Sequence, residues 1–134
     1  MSILKSVCIK TKNSNQTLNI NQADLIKTGI PNDIHCVGGD FQISLLSEDV
    51  ANEYYKKINE KYVYGKFGEN FSVSDFDIKK IKVHDKLRVG DCYLEITQIG
   101  VKNKNCKFEI HNNFVFAKVL VEGIVTVGDY LYVE

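Results

Sequence analysis

Few side chains in this sequence are suited to chemistry, and their neighbours sort them. Four cysteines, Cys8, Cys36, Cys92 and Cys106, lie far apart with no Cys-x-x-Cys pair. Structural zinc takes closely spaced ligand pairs, so the pattern argues against a zinc site. Cys8 and Cys92 fall inside strand-like alternation and read as small core fillers. Cys106 differs: it sits in the polar run Lys102-Asn103-Lys104-Asn105-Cys106-Lys107. Ammonium groups beside a loop thiol favour the thiolate, its reactive form.

Three polar pairs accompany the thiols. Asp33 and His35 follow Pro31; Asp33 can brace the turn, while the imidazole of His35 suits a cofactor or substrate contact. Glu69 and Asn70 follow Gly68 in a loop between apolar segments. Such side chains either bond their own backbone or reach a ligand. Thr97 and Gln98 end a strand-like segment, where polar groups often line a barrel mouth.

Those residues need a frame. The alternation in Tyr93-Leu94-Glu95-Ile96-Thr97-Gln98-Ile99 puts Leu94 and Ile96 on one strand face. Further strands are expected at 3–10, 23–28, 41–46, 86–89, 114–121 and 130–133. One helix is expected over 48–60, capped by Ser47, with Glu48 and Asp49 at its positive end. Val50, Tyr54 and Ile58 recur every fourth residue and predict its apolar stripe. Val-x-Asp-x-Leu-x-Val occurs twice, at 83–89 and 127–133. It reads as one turn-into-strand solution used twice, with Asp85 and Asp129 holding the turns. Many short strands with one helix and short connecting turns predict a mostly β fold, a closed or nearly closed barrel.

Composition bounds the function. The 134 residues fit one domain, 1–134. Seventeen basic residues balance seventeen acidic ones, which argues against a nucleic-acid or anionic-membrane surface. The first thirteen residues alternate instead of forming a signal-like apolar run, and Lys118 interrupts the longest apolar stretch. A cytoplasmic protein with free thiols is the expectation.

Three ordered segments resemble the MOSC family, modules related to the C-terminal domain of molybdenum cofactor sulfurase. Gly29-Ile30-Pro31-Asn32-Asp33-Ile34-His35 and Gln42-Ile43-Ser44-Leu45-Leu46-Ser47-Glu48 form the first. Gly65-Lys66-Phe67-Gly68-Glu69-Asn70-Phe71 is the second, and Val83 to Asp91 running into Leu94 to Gly100 and then Cys106 is the third. The ending Gly123 to Asp129 is similar to that of short stand-alone bacterial members. The resemblance implies the MOSC barrel and a role around the molybdenum cofactor (molybdopterin), a pterin dithiolene bearing a phosphate. It implies an oxidoreductase component acting on N-hydroxylated compounds, or a cofactor or sulfur carrier; a non-catalytic module that kept the barrel is the other reading. Cys106 would be the molybdenum ligand, a soft thiolate suited to that metal. Asp33, His35, Gln42, Ser44, Glu69, Asn70, Thr97 and Gln98 would line the cofactor pocket. No flavin, haem or nicotinamide motif is present, so a partner protein would deliver electrons or hand over the cofactor. Pyridoxal phosphate belongs to the fused sulfurase domain of larger relatives and is not expected. Four departures stand out: Phe41 occupies the place of an arginine able to clamp phosphate, Asn32 that of a glycine, Asn103 that of a further cysteine, and His111-Asn112-Asn113 that of a longer polar insertion. Phe41 and Asn103 favour the non-catalytic reading.

Overall fold

A nine-residue strand, β1 (Ser2–Lys10), runs through the whole architecture, and its burial shows why. Leu4, Val7 and Ile9 all enter the main core, although strict alternation would put Leu4 and Val7 on opposite faces. A register shift between Leu4 and Ser6 against the neighbouring strand corrects the phase. This β-bulge bends the strand so that one element serves two parts of the sheet.

In the computed structural model, which describes residues 1–13, 17–101 and 109–134, nine further strands follow. They are β2 (Thr17–Ile20), β3 (Gln22–Leu25), β4 (Ile43–Ser47), β5 (Phe71–Ser74) and β6 (Lys86–Val89), then β7 (Cys92–Ile99), β8 (Val115–Val121), β9 (Gly123–Thr126) and β10 (Tyr130–Val133). The order β10-β6-β7-β8-β4-β5-β1 closes on itself through β1–β10 pairing, giving a seven-stranded barrel. β2 extends the sheet from β1, and β3 with β9 forms a separate ribbon. The expected barrel is present. Sequence patterning had omitted β2, β5 and β9, which have four residues each. Strands that short carry too few alternations to show a period.

The barrel interior is apolar, filled by Leu4, Val7, Ile43, Leu45, Phe71, Leu94 and Ile96, all fully buried. Strand β4 is buried along its whole length, because its other face lies under the helix. That helix, α1 (Glu48–Lys57), begins at the Ser47 cap, whose side chain accepts from Val50 N. With the stretch after it, α1 connects β4 to β5, which run parallel with Leu45 opposite Phe71; a parallel pair requires such a crossover. The buried stripe is Ala51 and Tyr55, flanked by half-buried Val50 and Tyr54, while Ile58 is exposed at the C-cap. The expected helix over 48–60 ends at Lys57, which leaves Ile58 outside the stripe. Leu46, Tyr62, Ile110 and Phe114 complete this second cluster outside the barrel. Among the described residues, no helix is long and apolar enough to cross a membrane.

The sequence echo is structural. In both copies the aspartate accepts from a backbone N–H three residues earlier, Lys82 N to Asp85 at 3.0 Å and Thr126 N to Asp129 at 2.8 Å. Each turn then feeds a strand, β6 and β10, and these two pair antiparallel at the closing seam.

Candidate functional site

One end of the barrel gathers the C-terminal end of β1, the loop before β4, the turn before β5 and the start of β8. Between them lies a cavity of about 260 Å³ lined by Lys10, His35, Phe41, Phe67, Phe114 and Phe116, with Ser44 and Asn70 at its floor. The edge of Phe41 meets Phe116, ring centroids 5.2 Å apart at 77°. Phe114 lies beside both Phe116 and His111. The lining thus combines flat apolar faces with one ammonium and one imidazole.

Asp33 positions the imidazole. Its side chain is almost fully buried and accepts from Lys10 N at 2.9 Å and from His35 N at 3.1 Å. Its second oxygen also lies 3.2 Å from His35 Nδ1, and Ile34 N donates to Lys10 O. Burial opposes the Asp33 charge, but the His35 ring and the two backbone donors outweigh it and hold the carboxyl below the usual carboxylate range. The loop is therefore pinned to the end of β1, with His35 half-exposed at the rim. Asn32 makes the bend at φ 72°, a left-handed conformation that asparagine tolerates better than most residues.

Ser44 and Asn70 hold each other. Asn70 Oδ1 accepts from Ser44 N at 2.9 Å, Asn70 N donates to Ser44 Oγ at 3.0 Å, and Asn70 Nδ2 donates to Cys8 O at 3.0 Å. The pair ties β4, β5 and β1 together beneath the cavity. Gln42 does similar work elsewhere: it donates to Gly39 O and accepts from Val119 N, both at 3.0 Å, and is nearly buried. Thr97 donates to Asp40 O and Gln98 to Gly100 O, neither as part of the cavity lining.

Glu69 is 1% exposed and sits behind the cavity rather than in it. Among the described residues, no hydrogen bond of ordinary geometry reaches either carboxylate oxygen. Burial pushes its pKa up to about 7, while backbone amides at Phe67, Gly65 and Glu69 itself pull the other way without overcoming burial. Its charge also bears on Cys8, whose thiol burial pushes up to about 11.

Of the residues singled out by sequence, the structure brings His35, Ser44 and Asn70 to the cavity and places Asp33 directly behind His35. Lys10, Phe67, Phe114 and Phe116 were missed. Apolar rings in strand-like runs look like core, and a lysine ending a strand looks like solvent-facing charge; only closure of the barrel aims them at one space. Phe41 falls in the strand expected over 41–46, but β4 begins only at Ile43, and Phe41 is 50% exposed at the rim. Cys106 and its neighbouring lysines lie outside the described residues. Among the described residues, no group of three or more His, Cys, Asp or Glu side chains could hold a metal.

Comparison with known proteins agrees with this architecture. The model of the MOSC domain matches residues 32–108. The YuaD protein from Bacillus subtilis superposes with a TM-score of 0.80 at 18% identity, over 98% of this chain and 94% of its own. YiiM from Geobacillus stearothermophilus gives 0.76 at 15% identity, over 100% and 75%. YiiM from Escherichia coli gives 0.71 at 17%, over 100% and 70%. No curated protein matches by sequence. At these identities the solved structures speak to the fold, whereas the family model covers more than half of the chain. The chain belongs to the MOSC domain family.

Proposed function

We propose that the cavity at the barrel mouth binds the molybdenum cofactor, and that the domain works as a component of an oxidoreductase or as a carrier of that cofactor. The observation that supports this reading is the lining: four phenylalanine rings set between Lys10 and His35. Flat aromatic faces suit a fused heterocycle, and the two nitrogen groups suit a phosphate. The donor set therefore fits a planar anionic group. Lys10 and His35 would hold the phosphate, and Phe114 and Phe116 would pack on the ring system. Asp33 occupies Nδ1 of His35, which leaves Nε2 for the ligand. Buried Ser44 and Asn70 keep the floor rigid and would exclude water from the ring. The cofactor, when bound, would supply the redox-active metal, with Cys106 as its protein ligand by resemblance. Electrons would come from a partner protein. The free thiols Cys8, Cys36 and Cys92 support a reducing, cytoplasmic setting.

Phe41 favours the second reading, a barrel that no longer holds the cofactor tightly. The ring stands at the rim, where an arginine could clamp a phosphate bidentately. Titration of apo-protein with isolated cofactor separates the two. Binding with a molybdenum content near one per chain, from a molybdate-fed host, is expected on the first reading. Phe41→Arg should then tighten binding by roughly one to two decades, as a charged hydrogen bond of about 1.5–3 kcal/mol would. Absence of binding in both proteins, with folding intact, would leave the non-catalytic module.

A further inference from the structure

We propose a second ligand site, an anion-binding cleft between the end of β1, strand β2 and residues 61–68, suited to a small molecule with several negative charges of the di- or polyphosphate class. The cleft encloses about 980 Å³, several times the volume of the aromatic cavity. Lys10, Lys61 and Lys66 line it, and among the described residues no acidic one does. In a chain with seventeen charges of each sign, three cations facing one space without a carboxylate form a local excess. Among the described residues the salt bridges are Met1–Asp75, His35–Asp33, His84–Glu95 and Lys118–Glu95, so these three ammonium groups remain available. Asn19 adds an amide at the wall.

The rest of the wall narrows the chemistry. The Tyr62 hydroxyl is 2.7 Å from Ser72 Oγ and the Tyr64 hydroxyl donates to Glu48 at 3.1 Å, so both tyrosines present rings while their hydroxyls are spent elsewhere. At the floor, Gly65 has φ +85° and a Cβ there would lie 2.4 Å from Thr17 Oγ1. Only glycine lets the 61–68 segment sit this close to β2 and keep the cleft's shape. The described lining holds cationic point charges on flexible stems, with no rigid guanidinium fork and no carboxylate. That set suits phosphate groups, and three separate lysines suit more than one of them. Lys10 and Gly68 line both this cleft and the aromatic cavity, so the two spaces meet at one ammonium group. The proposal does not depend on the cofactor reading, since its probes contain no cofactor.

The test is calorimetric titration of the full chain with orthophosphate, pyrophosphate and tripolyphosphate at low ionic strength. Affinity is expected to rise along that series. The Lys61→Gln/Lys66→Gln double variant is expected to lose about tenfold or more for tripolyphosphate. Lys79→Gln/Lys80→Gln, which removes two lysines outside the cleft lining, should match the parent, and thermal melts should show all three proteins folded. Equal affinity for the three anions, or an equal loss in both double variants, would show charge screening alone and overturn the site. Failure of cofactor binding with the tripolyphosphate result intact would count against the cavity reading only.

Discussion

Glu69 carries the clearest electrostatic consequence. In the unfolded chain it titrates as an ordinary carboxyl near 4.5, and in the fold near 7. Between those values the folded state holds more protons, so stability falls as pH rises through this window, and the full penalty is present above it. The shift corresponds to about 3 kcal/mol. Urea unfolding at pH 5 and pH 8 should therefore show a loss of that order in the parent. Glu69→Gln should flatten the dependence, whatever its absolute stability, and a parent whose stability does not fall over this range would contradict the burial argument. The thiols make a second residue-scale case. Burial pushes Cys8 and Cys92 both up to about 11, and each is almost fully buried. With Cys36 partly exposed, brief iodoacetamide treatment at neutral pH should label Cys36 ahead of Cys8 and Cys92, read by peptide mass spectrometry.

The twin turns belong to the scale of elements. Each places its third residue at positive φ, Gly128 at 101° and His84 at 80°. The same backbone is easy for glycine and strained for histidine. His84→Gly should then stabilise the fold by up to about 1 kcal/mol, and Gly128→Ala should destabilise it by a similar amount. The contact of His84 with Glu95 at 3.4 Å is solvent-exposed, and such surface pairs contribute little. Thermal melts of the two variants check both signs. For α1, Ser47→Ala removes the acceptor for Val50 N and should cost about 1 kcal/mol, lowering the melting temperature by a few degrees.

Closure is the property of the whole molecule. β10 pairs with β6 through three residue pairs and with β1 through two, Ser2–Leu131 and Ile3–Tyr130. Backbone bonds from Leu4 N to Asp129 O and from Gly128 N to Leu4 O reinforce that seam. Removing residues 130–134 would leave two open edges and expose the core around Leu4 and Leu87. Such a truncated chain is expected to lose cooperative urea unfolding and to bind a hydrophobic dye at neutral pH. Retention of a sharp transition would mean that the seam is dispensable.

Local signals were enough for much of this. The strands at 86–89 and 130–133 lie within the predicted bounds, because each follows an aspartate-held turn and alternates cleanly. The Ser47 cap and the start of α1 were legible for the same reason: a cap acts over three residues. The short strands β2, β5 and β9 were not, since four residues gain strand character only from partners far away in the chain. The candidate site divides along the same line. Asp33 and His35 stand two residues apart, and their contact could be anticipated from the turn. Lys10, Phe67 and Phe116 meet only because the sheet closes, and no window of sequence contains all three. Glu69 shows the limit most plainly. Its place in a loop after Gly68 suggests a side chain that bonds its own turn or reaches a ligand, yet Glu69 is 1% exposed behind the cavity, and burial by distant elements is decided by the tertiary structure.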